Sequence, residues 1–194
     1  MICFICINMK NKKKFYIFDL DGTLRHGITS KDLKAGKMKQ QIVLPNVKRK
    51  LTEIKNSKAV SVGFSNQGFP SFGVITEIQV WKFVIYFKEH LLKNLIKDVR
   101  LDFYHPLGPL KHRYKNKRKP KPDIIYELLK DYKIKPKQAV FIGNAESDKK
   151  AAQNAGIDFI WAYDFFGWDK NNLELSEKFG WNWNKSKLSQ ELRK

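Results

Sequence analysis

Apolar residues along the chain fall into short runs that are separated by longer segments with helical spacing. Five runs have the composition of buried strands, at positions 15–18, 59–64, 99–104, 139–142 and 159–162. Between them, apolar residues recur with the period of a helix over 47–55, 77–97, 123–131 and 148–155. Strands that alternate with helices and are apolar on both faces predict an α/β fold, with helices on both sides of a mostly parallel sheet.

Local signals place some of the helix ends. Thr76 and Gln79 have the spacing of a capping box at the start of the second helix. Pro122 suits the beginning of the third helix, and Gly156 follows the fourth where a C-terminal cap is expected. Apolar residues at 124, 125, 128 and 129 form a stripe, which predicts that one face of the third helix is buried.

Polar residues follow the predicted strands at the points where the strands end, or precede the next helix. These residues are Asp19, Asp21, Gly22, Thr23, Ser65, Asn66, Arg118, Lys119, Asn144 and Asp148. Right-handed crossovers bring the carboxyl ends of parallel strands to one edge of the sheet, where open α/β sheets bind ligands. The sequence therefore predicts that these polar groups line one pocket.

Their chemistry suits magnesium and phosphate. A carboxylate can attack phosphorus, and a second carboxylate two residues away can protonate the leaving oxygen and then activate water. A lysine can neutralise the developing charge. The backbone amides of Gly22 and Thr23 and the hydroxyl of Ser65 are expected to face phosphate oxygens.

The order of these motifs resembles the haloacid dehalogenase (HAD) superfamily of phosphohydrolases, which use an aspartate nucleophile. The stretch "FDLDGTL" is similar to its first motif. The stretches "FSNQG" and "KRKPKPD" are similar to motifs of the branch that contains histidinol phosphatases, heptose bisphosphate phosphatases and polynucleotide 3′-phosphatases, subfamily IIIA. The resemblance covers residues 15–161 and implies a HAD-like Rossmannoid fold of three layers.

The resemblance also implies a role for each matching residue. The catalytic residues would be Asp19 as nucleophile, Asp21 as general acid and base, and Lys119 as the charge-stabilising lysine, for which Arg118 and Lys121 are alternatives. The substrate contacts would be Gly22, Thr23, Ser65, Asn66 and Arg118. The Mg²⁺ ligands would be Asp19, Asp21, Asn144 and Asp148.

Two departures from the family pattern affect the metals. Asn144 stands where the family usually has an aspartate that ligates magnesium, so Mg²⁺ affinity is expected to fall unless Asp148, or Glu146 through water, compensates. The segment before Lys119 contains His105 and His112 but no cysteine, so no structural zinc is predicted. Cys3 and Cys6 lie in an apolar leader and are read as incidental thiols.

The substrate is the open question. Too few residues separate the motifs for a large cap domain, so an uncapped site is expected, open to a small phosphorylated metabolite or to a polymer end. The net charge of +19 and the basic segment 111–121 suit an anionic partner, and Tyr114 could stack on a base. Lysine dominates the basic residues, however, whereas dedicated phosphate readers favour arginine.

The leading hypothesis is a Mg²⁺-dependent phosphatase of a sugar phosphate or bisphosphate. The alternatives are a polynucleotide 3′-phosphatase and a catalytically weak domain that binds anions or nucleic acid. The domain organisation comprises a leader (1–14), a HAD-like phosphatase domain (15–165) and a C-terminal extension packed on that domain (166–194). A cytoplasmic monomer without membrane contact is expected.

Overall fold

The computed structural model describes residues 13–168, in which five parallel strands form one sheet in the order β3-β2-β1-β4-β5. The strands are β1 (Phe15–Phe18), β2 (Val60–Asn66), β3 (Asp98–Asp102), β4 (Ala139–Gly143) and β5 (Asp158–Trp161). The predicted parallel sheet is confirmed. The strand ends differ from the prediction by one or two residues, chiefly at the carboxyl ends of β2 and β3.

Six α-helices lie between or after the strands in this part of the chain. They are α1 (Ser30–Lys34), α2 (Val47–Asn56), α3 (Glu77–Tyr86), α4 (Asp123–Asp131), α5 (Glu146–Ala155) and α6 (Ala162–Phe166). Short 3-10 turns occur at Met38–Gln40, Phe69–Phe72, Lys111–Arg113 and Pro136–Gln138. The two five-residue helices and the 3-10 turns are too short to show helical periodicity in the sequence.

Side chains alternate between the two faces of the sheet, as the period of a strand requires. On β1, Phe15 and Ile17 pack with α4 and α5, whereas Phe18 packs with α2, α3 and α6 on the other face. On β4, Phe141 and Ile142 divide in the same way. The helices therefore form two outer layers around the sheet, which is the predicted three-layer α/β architecture.

The predicted caps are confirmed, but the second helix is shorter than predicted. Thr76 and Gln79 form a capping box, and Gly156 caps α5 with a φ of +67°. The helix predicted over 77–97 ends as α3 at Tyr86 and continues only as a π-helical turn, Phe87–Leu91. Lys93 and Asn94 then adopt positive φ angles, which stop the helix although buried apolar residues continue the spacing beyond them.

Most of the predicted leader and C-terminal extension, including Cys3 and Cys6, lies outside the described residues. At the end of the described region, Phe166 and Trp168 are buried against α2 and β1, and Trp168 Nε1 donates to the carbonyl of Pro45 at 2.9 Å. Within 13–168 the connections at the carboxyl edge of the sheet contain only short helices and turns. No helix of this region combines the length and apolarity needed to cross a membrane.

Candidate active site

Asp19 extends β1 by one residue at the carboxyl edge of the sheet. Its amide donates to the carbonyl of Ile142 at 3.0 Å, so the pairing with β4 continues through this position. Four buried or half-buried residues precede it, and its carboxylate is 9% exposed. The sheet therefore fixes a largely desolvated carboxylate at the centre of its ligand-binding edge.

Lys119 brings two aspartates together in the protein interior. Its Nζ lies 2.6 Å from Asp19 Oδ1 and 2.7 Å from Asp148 Oδ1, and it donates to the Phe64 carbonyl at 3.0 Å. The ammonium also lies 4.9 Å and 5.3 Å from the ring centroids of Phe64 and Phe141. Because an unpaired buried charge is costly, Lys119 and its two carboxylates depend on one another.

Asn66 holds the backbone of this lysine. Its Oδ1 accepts from the amide of Lys119 at 3.0 Å, and its Nδ2 donates to the Lys119 carbonyl at 3.4 Å. Asp102, at the end of β3, accepts from the amides of Lys117 and Tyr104, each at 3.0 Å. The predicted substrate contact Asn66 therefore has its amide group engaged in positioning Lys119, while its contact with substrate stays a prediction.

Asp148 joins the lysine to the start of α5. Its Oδ2 accepts from the amides of Asn144 and Ala145 at 3.2 Å and 3.0 Å, while its Oδ1 contacts Lys119. A carboxylate has about four acceptor positions, so three contacts leave little capacity for a metal. A Cβ on Gly143 would lie 2.5 Å from Asp148, which explains why glycine ends β4.

Asp21 lies in the first loop, which connects β1 to α1 (residues 19–29), and its side chain is 27% exposed. Arg25 Nε donates to its Oδ1 at 2.9 Å, and Gln67 Nε2 donates to its Oδ2 at 2.5 Å. The same Gln67 nitrogen donates to Ser65 Oγ at 3.0 Å. The hydroxyl proton of Ser65 is given to none of the described residues, which leaves it available to a substrate oxygen.

The Gly22 and Thr23 amides take part in the turn after β1. They donate to the carbonyls of Arg25 and Leu20 at 2.8 Å and 3.3 Å, and their contact with a phosphate stays a prediction. The Thr23 hydroxyl instead donates to Asn144 Oδ1 at 3.2 Å, which joins the loops after β1 and β4. Gly22 allows this approach, because its φ is +81° and a Cβ there would lie 2.3 Å from Asn144 Nδ2.

Burial and charge shift the pKa values of the central pair. Burial, with the nearby charges of Asp148 and Asp21, raises the pKa of Asp19 to about 7 although Lys119 opposes the shift. Burial would lower the pKa of Lys119, but Asp148 and Asp19 outweigh it and raise that pKa. The site thus contains more negative charge than its lysine balances, and a cation would stabilise the ionised form of Asp19.

The oxygen atoms fit a magnesium ion better than a softer metal. No described residue donates a hydrogen bond to Asp19 Oδ2. Asn144 is exposed and directly follows β4, the strand that pairs with β1 in the sheet. Carboxylate and amide oxygens are the ligands that Mg²⁺ takes. Across 13–168 no three His, Cys, Asp or Glu side chains are grouped to hold an ion, so a bound Mg²⁺ would retain several waters, as it commonly does.

The basic segment 111–121 is largely engaged in internal contacts. The cationic side chains that contact carbonyl or carboxylate oxygens of the protein are Lys111, Lys117, Arg118, Lys119 and Lys121. Tyr114 packs against Phe103 at 6.1 Å between ring centroids. Burial raises the pKa of Tyr114, and the charge and hydrogen bond of Glu77 raise it further. The segment therefore offers fewer free cations and aromatic faces than its sequence suggests.

Arg118 lies at the edge of the site. It donates to the carbonyl of Tyr104 at 3.3 Å, burial lowers its pKa, and the charge of Asp102 opposes that shift. None of the described contacts joins its guanidinium to Asp19 or Asp21, so its role as a substrate contact stays a prediction.

A cleft of about 210 Å³ lies beside the first loop. Its lining combines apolar side chains of Ile28, Ile42 and Phe83 with the polar side chains of His26 and Gln41. Gln41 accepts a hydrogen bond from Arg25, which contacts Asp21, so the side chains of Gln41 and Arg25 lie between the cleft and the candidate acid and base.

The structure thus gathers Asp19, Lys119 and Asp148 in one cluster and places Asp21 and Ser65 in a second network beside it. Three residues in these networks were missed from the sequence: Arg25, Gln67 and Asp102. Asp102 ends a strand, and Gln67 follows Asn66 in a recognised motif, so both carried a usable signal. Arg25 carried none, since a lone arginine after a turn usually lies at the surface.

Comparison with known proteins relates this arrangement to one fold. Residues 109–162 match the family model of the haloacid dehalogenase-like hydrolases. Among curated proteins, none matches this chain. A crystal structure of a protein described as a HAD-like phosphatase from Mesorhizobium loti is similar at 19% identity, over 75% of this chain and 70% of that chain, with a TM-score of 0.65. The fold is HAD-like.

Two further structures share this HAD-like fold. D,D-heptose 1,7-bisphosphate phosphatase from B. bronchiseptica, complexed with magnesium and phosphate, is 17% identical over 75% of this chain and 78% of that chain, with a TM-score of 0.63. A hydrolase from Streptococcus pneumoniae is 16% identical over 86% of this chain and 97% of that chain, with a TM-score of 0.54. At these identities the likeness establishes the HAD-like architecture of the chain.

The raised pKa of Asp19 predicts how stability depends on pH without metal. Between about 4 and about 7 the folded protein holds a proton that the unfolded chain has released, so the free energy of unfolding should fall as the pH rises through this range. Urea unfolding of the wild type and of Asp19→Asn in EDTA, at several pH values, isolates this contribution. Parallel stability profiles for the two proteins would contradict it.

The contact between Gly22 and Asn144 predicts a difference between two glycine substitutions. Gly22 and Gly36 both have positive φ, but only at Gly22 would a Cβ collide with another side chain. Gly36→Ala should cost about 1–2 kcal/mol from backbone strain alone, and Gly22→Ala should cost more. Urea unfolding measures both variants, and an equal loss would show that the collision is relieved without cost.

Proposed function

We propose that this protein is a Mg²⁺-dependent phosphatase that hydrolyses a phosphomonoester through a phosphorylated Asp19. The observation that carries the proposal is the state of the Asp19 carboxylate. One oxygen is held by a buried lysine at 2.6 Å, while the other accepts no hydrogen bond from a described residue. A fixed, desolvated carboxylate with one available oxygen has the properties of a nucleophile.

The reaction would proceed in two balanced steps. In the first, Asp19 Oδ2 forms a bond to phosphorus as the bond to the leaving oxygen breaks, and Asp21 gives that oxygen a proton. In the second, Asp21 takes a proton from a water molecule that attacks the phosphorus. The bond between Asp19 and phosphorus then breaks, which regenerates the carboxylate and releases inorganic phosphate.

The other residues would hold and stabilise the phosphoryl group. Lys119 would orient Asp19 and favour its ionised form, and the hydroxyl of Ser65 would donate to a phosphate oxygen. Mg²⁺ would be held by Asp19, Asn144 and the backbone of Asp21, and would neutralise charge between two anionic reactants. Asp148 would act on the metal through water, because three donors already occupy its carboxylate.

A small phosphorylated metabolite, such as a sugar phosphate or bisphosphate, is the substrate that we favour. The likeness to the heptose bisphosphate phosphatase supports this class at the level of fold. A nucleic-acid end is the weaker candidate, because most cationic side chains of the basic segment contact oxygen atoms of the protein itself.

Hydrolysis of 4-nitrophenyl phosphate with and without Mg²⁺ tests the proposal. The wild type should turn over with Mg²⁺, Asp19→Asn should lose activity by at least about 10³-fold as expected for a lost nucleophile, and the exposed control Asp123→Asn should keep it. The catalytically weak alternative predicts no metal-dependent turnover. A panel of sugar phosphates and a 3′-phosphorylated oligonucleotide then separates the two substrate classes.

Asn144→Asp should tighten magnesium binding. A carboxylate adds a charge where the amide supplies only a dipole. The Mg²⁺ concentration that gives half-maximal activity should therefore fall by about tenfold or more, because charged oxygen ligands bind Mg²⁺ more strongly. The measurement is activity against Mg²⁺ concentration for both proteins. An unchanged requirement would exclude residue 144 from the metal site without affecting the assignment of Asp19.

A further inference from the structure

Arg25 is a buried charge that the proposed reaction does not use. It is 1% exposed and lies in the first loop, where the Gly22 amide donates to the Arg25 carbonyl. Its side chain also lies 5.3 Å from the ring centroid of Phe87. Burying a guanidinium is costly unless it is paired and hydrogen-bonded, so its partners indicate what the side chain does.

The guanidinium connects Asp21 to a support on α3. Nε donates to Asp21 Oδ1 at 2.9 Å, and a terminal nitrogen lies 3.5 Å from Asp21 Oδ2. The other terminal nitrogen donates to Gln41 Oε1 at 2.6 Å. Gln41 is itself held, because its Nε2 donates to the carbonyls of Met38 and Phe83 at 3.0 Å each. Arg25 is therefore immobilised on the side away from Asp21.

A second support holds the same carboxylate from β2. Gln67 Nε2 donates to Asp21 Oδ2, and the backbone N–H of Gln67 donates to the carbonyl of Asp102 at 2.7 Å. Asp21 follows Asp19 in a loop, where a side chain would otherwise sample several rotamers. Two independently anchored donors, one to each oxygen, restrict it to a single orientation.

We propose that Arg25 is a positioning residue for Asp21, which it holds in the orientation needed to pass a proton to the leaving oxygen. This inference rests on the proposed function. Among residues 13–168, Asp21 is the only carboxylate within ion-pair distance of Arg25. Removal of the guanidinium would leave Asp21 with one anchored donor and a mobile side chain, while Asp19, Lys119 and Asp148 would keep their contacts with one another.

The consequence depends on the leaving group. A 4-nitrophenolate leaves readily without a proton, whereas a phenolate or an alkoxide needs one in the transition state. Loss of Arg25 should therefore slow the hydrolysis of phenyl phosphate far more than that of 4-nitrophenyl phosphate. A residue that merely supports the fold would lower both rates by the same factor, because it would change only the amount of active protein.

The experiment compares Arg25→Met with Arg49→Met, which removes a surface arginine paired with Glu53 at 2.5 Å. For Arg25→Met we expect kcat/KM to fall by about 10²-fold with phenyl phosphate, the scale of general acid catalysis, and by less than about threefold with 4-nitrophenyl phosphate. Competitive inhibition by inorganic phosphate should be unchanged. Arg49→Met should match the wild type with both substrates.

An equal loss with both substrates, or no loss with either, would overturn the positioning role while leaving Asp19-dependent hydrolysis intact. A wild type without Asp19-dependent activity would instead overturn the proposed function and this inference together. Should circular dichroism show that Arg25→Met is unfolded, Gln41→Met decides by the same comparison. This variant removes the fixed acceptor behind the guanidinium but keeps the ion pair. Its decrease in kcat/KM should therefore be smaller than that of Arg25→Met and equally selective for phenyl phosphate.

Discussion

The buried triad of Asp19, Lys119 and Asp148 is the interaction on which the rest of the site depends. Its members come from the end of β1, the first turn of α5 and the loop before α4, so the triad forms only when three distant segments have folded together. Each charge is costly to bury alone. Lys119 and Asp148 each have at least two partners, whereas among the described residues the Asp19 carboxylate has Lys119 alone. The lysine is held at both ends, through its ammonium by carboxylates and through its backbone by Asn66.

A second charge pair lies next to the triad and is organised differently. The triad is almost fully desolvated, whereas Asp21 remains 27% exposed and is steadied by one buried arginine and one buried glutamine. This difference suits the two roles that the proposed reaction assigns. A nucleophile benefits from a dry, fixed environment, and a proton carrier must reach both the leaving oxygen and the incoming water. The two aspartates are two residues apart, yet the sheet and the loop give them different surroundings.

Many of the polar groups first assigned to a ligand serve to position other groups. Asn66 holds the Lys119 backbone, the Thr23 hydroxyl holds Asn144, and Asp148 holds the start of α5. A site of this kind keeps few side chains free, which makes its geometry rigid and leaves contact with the phosphate to a small number of atoms. The basic segment follows the same rule, since its internal contacts fix the loop that delivers Lys119 rather than forming a free cationic surface.

The sequence by itself determined the parallel α/β sheet and most helices, because the alternation of strands with helices and the helical period are local patterns. It also determined that Asp19, Lys119 and Asp148 meet, because the topology of a parallel sheet brings the strand ends to one edge. It did not determine where α3 ends, since Leu92 and Ile96 keep the apolar spacing on either side of Lys93 and Asn94, which have left the helical conformation. It assigned the Gly22 and Thr23 amides to a phosphate, and the structure adds that both amides donate within the turn. Only the tertiary structure decided the roles of Arg25, Gln67 and Asp102, because a side chain's partner depends on which distant segment packs against it, and no local pattern records that choice.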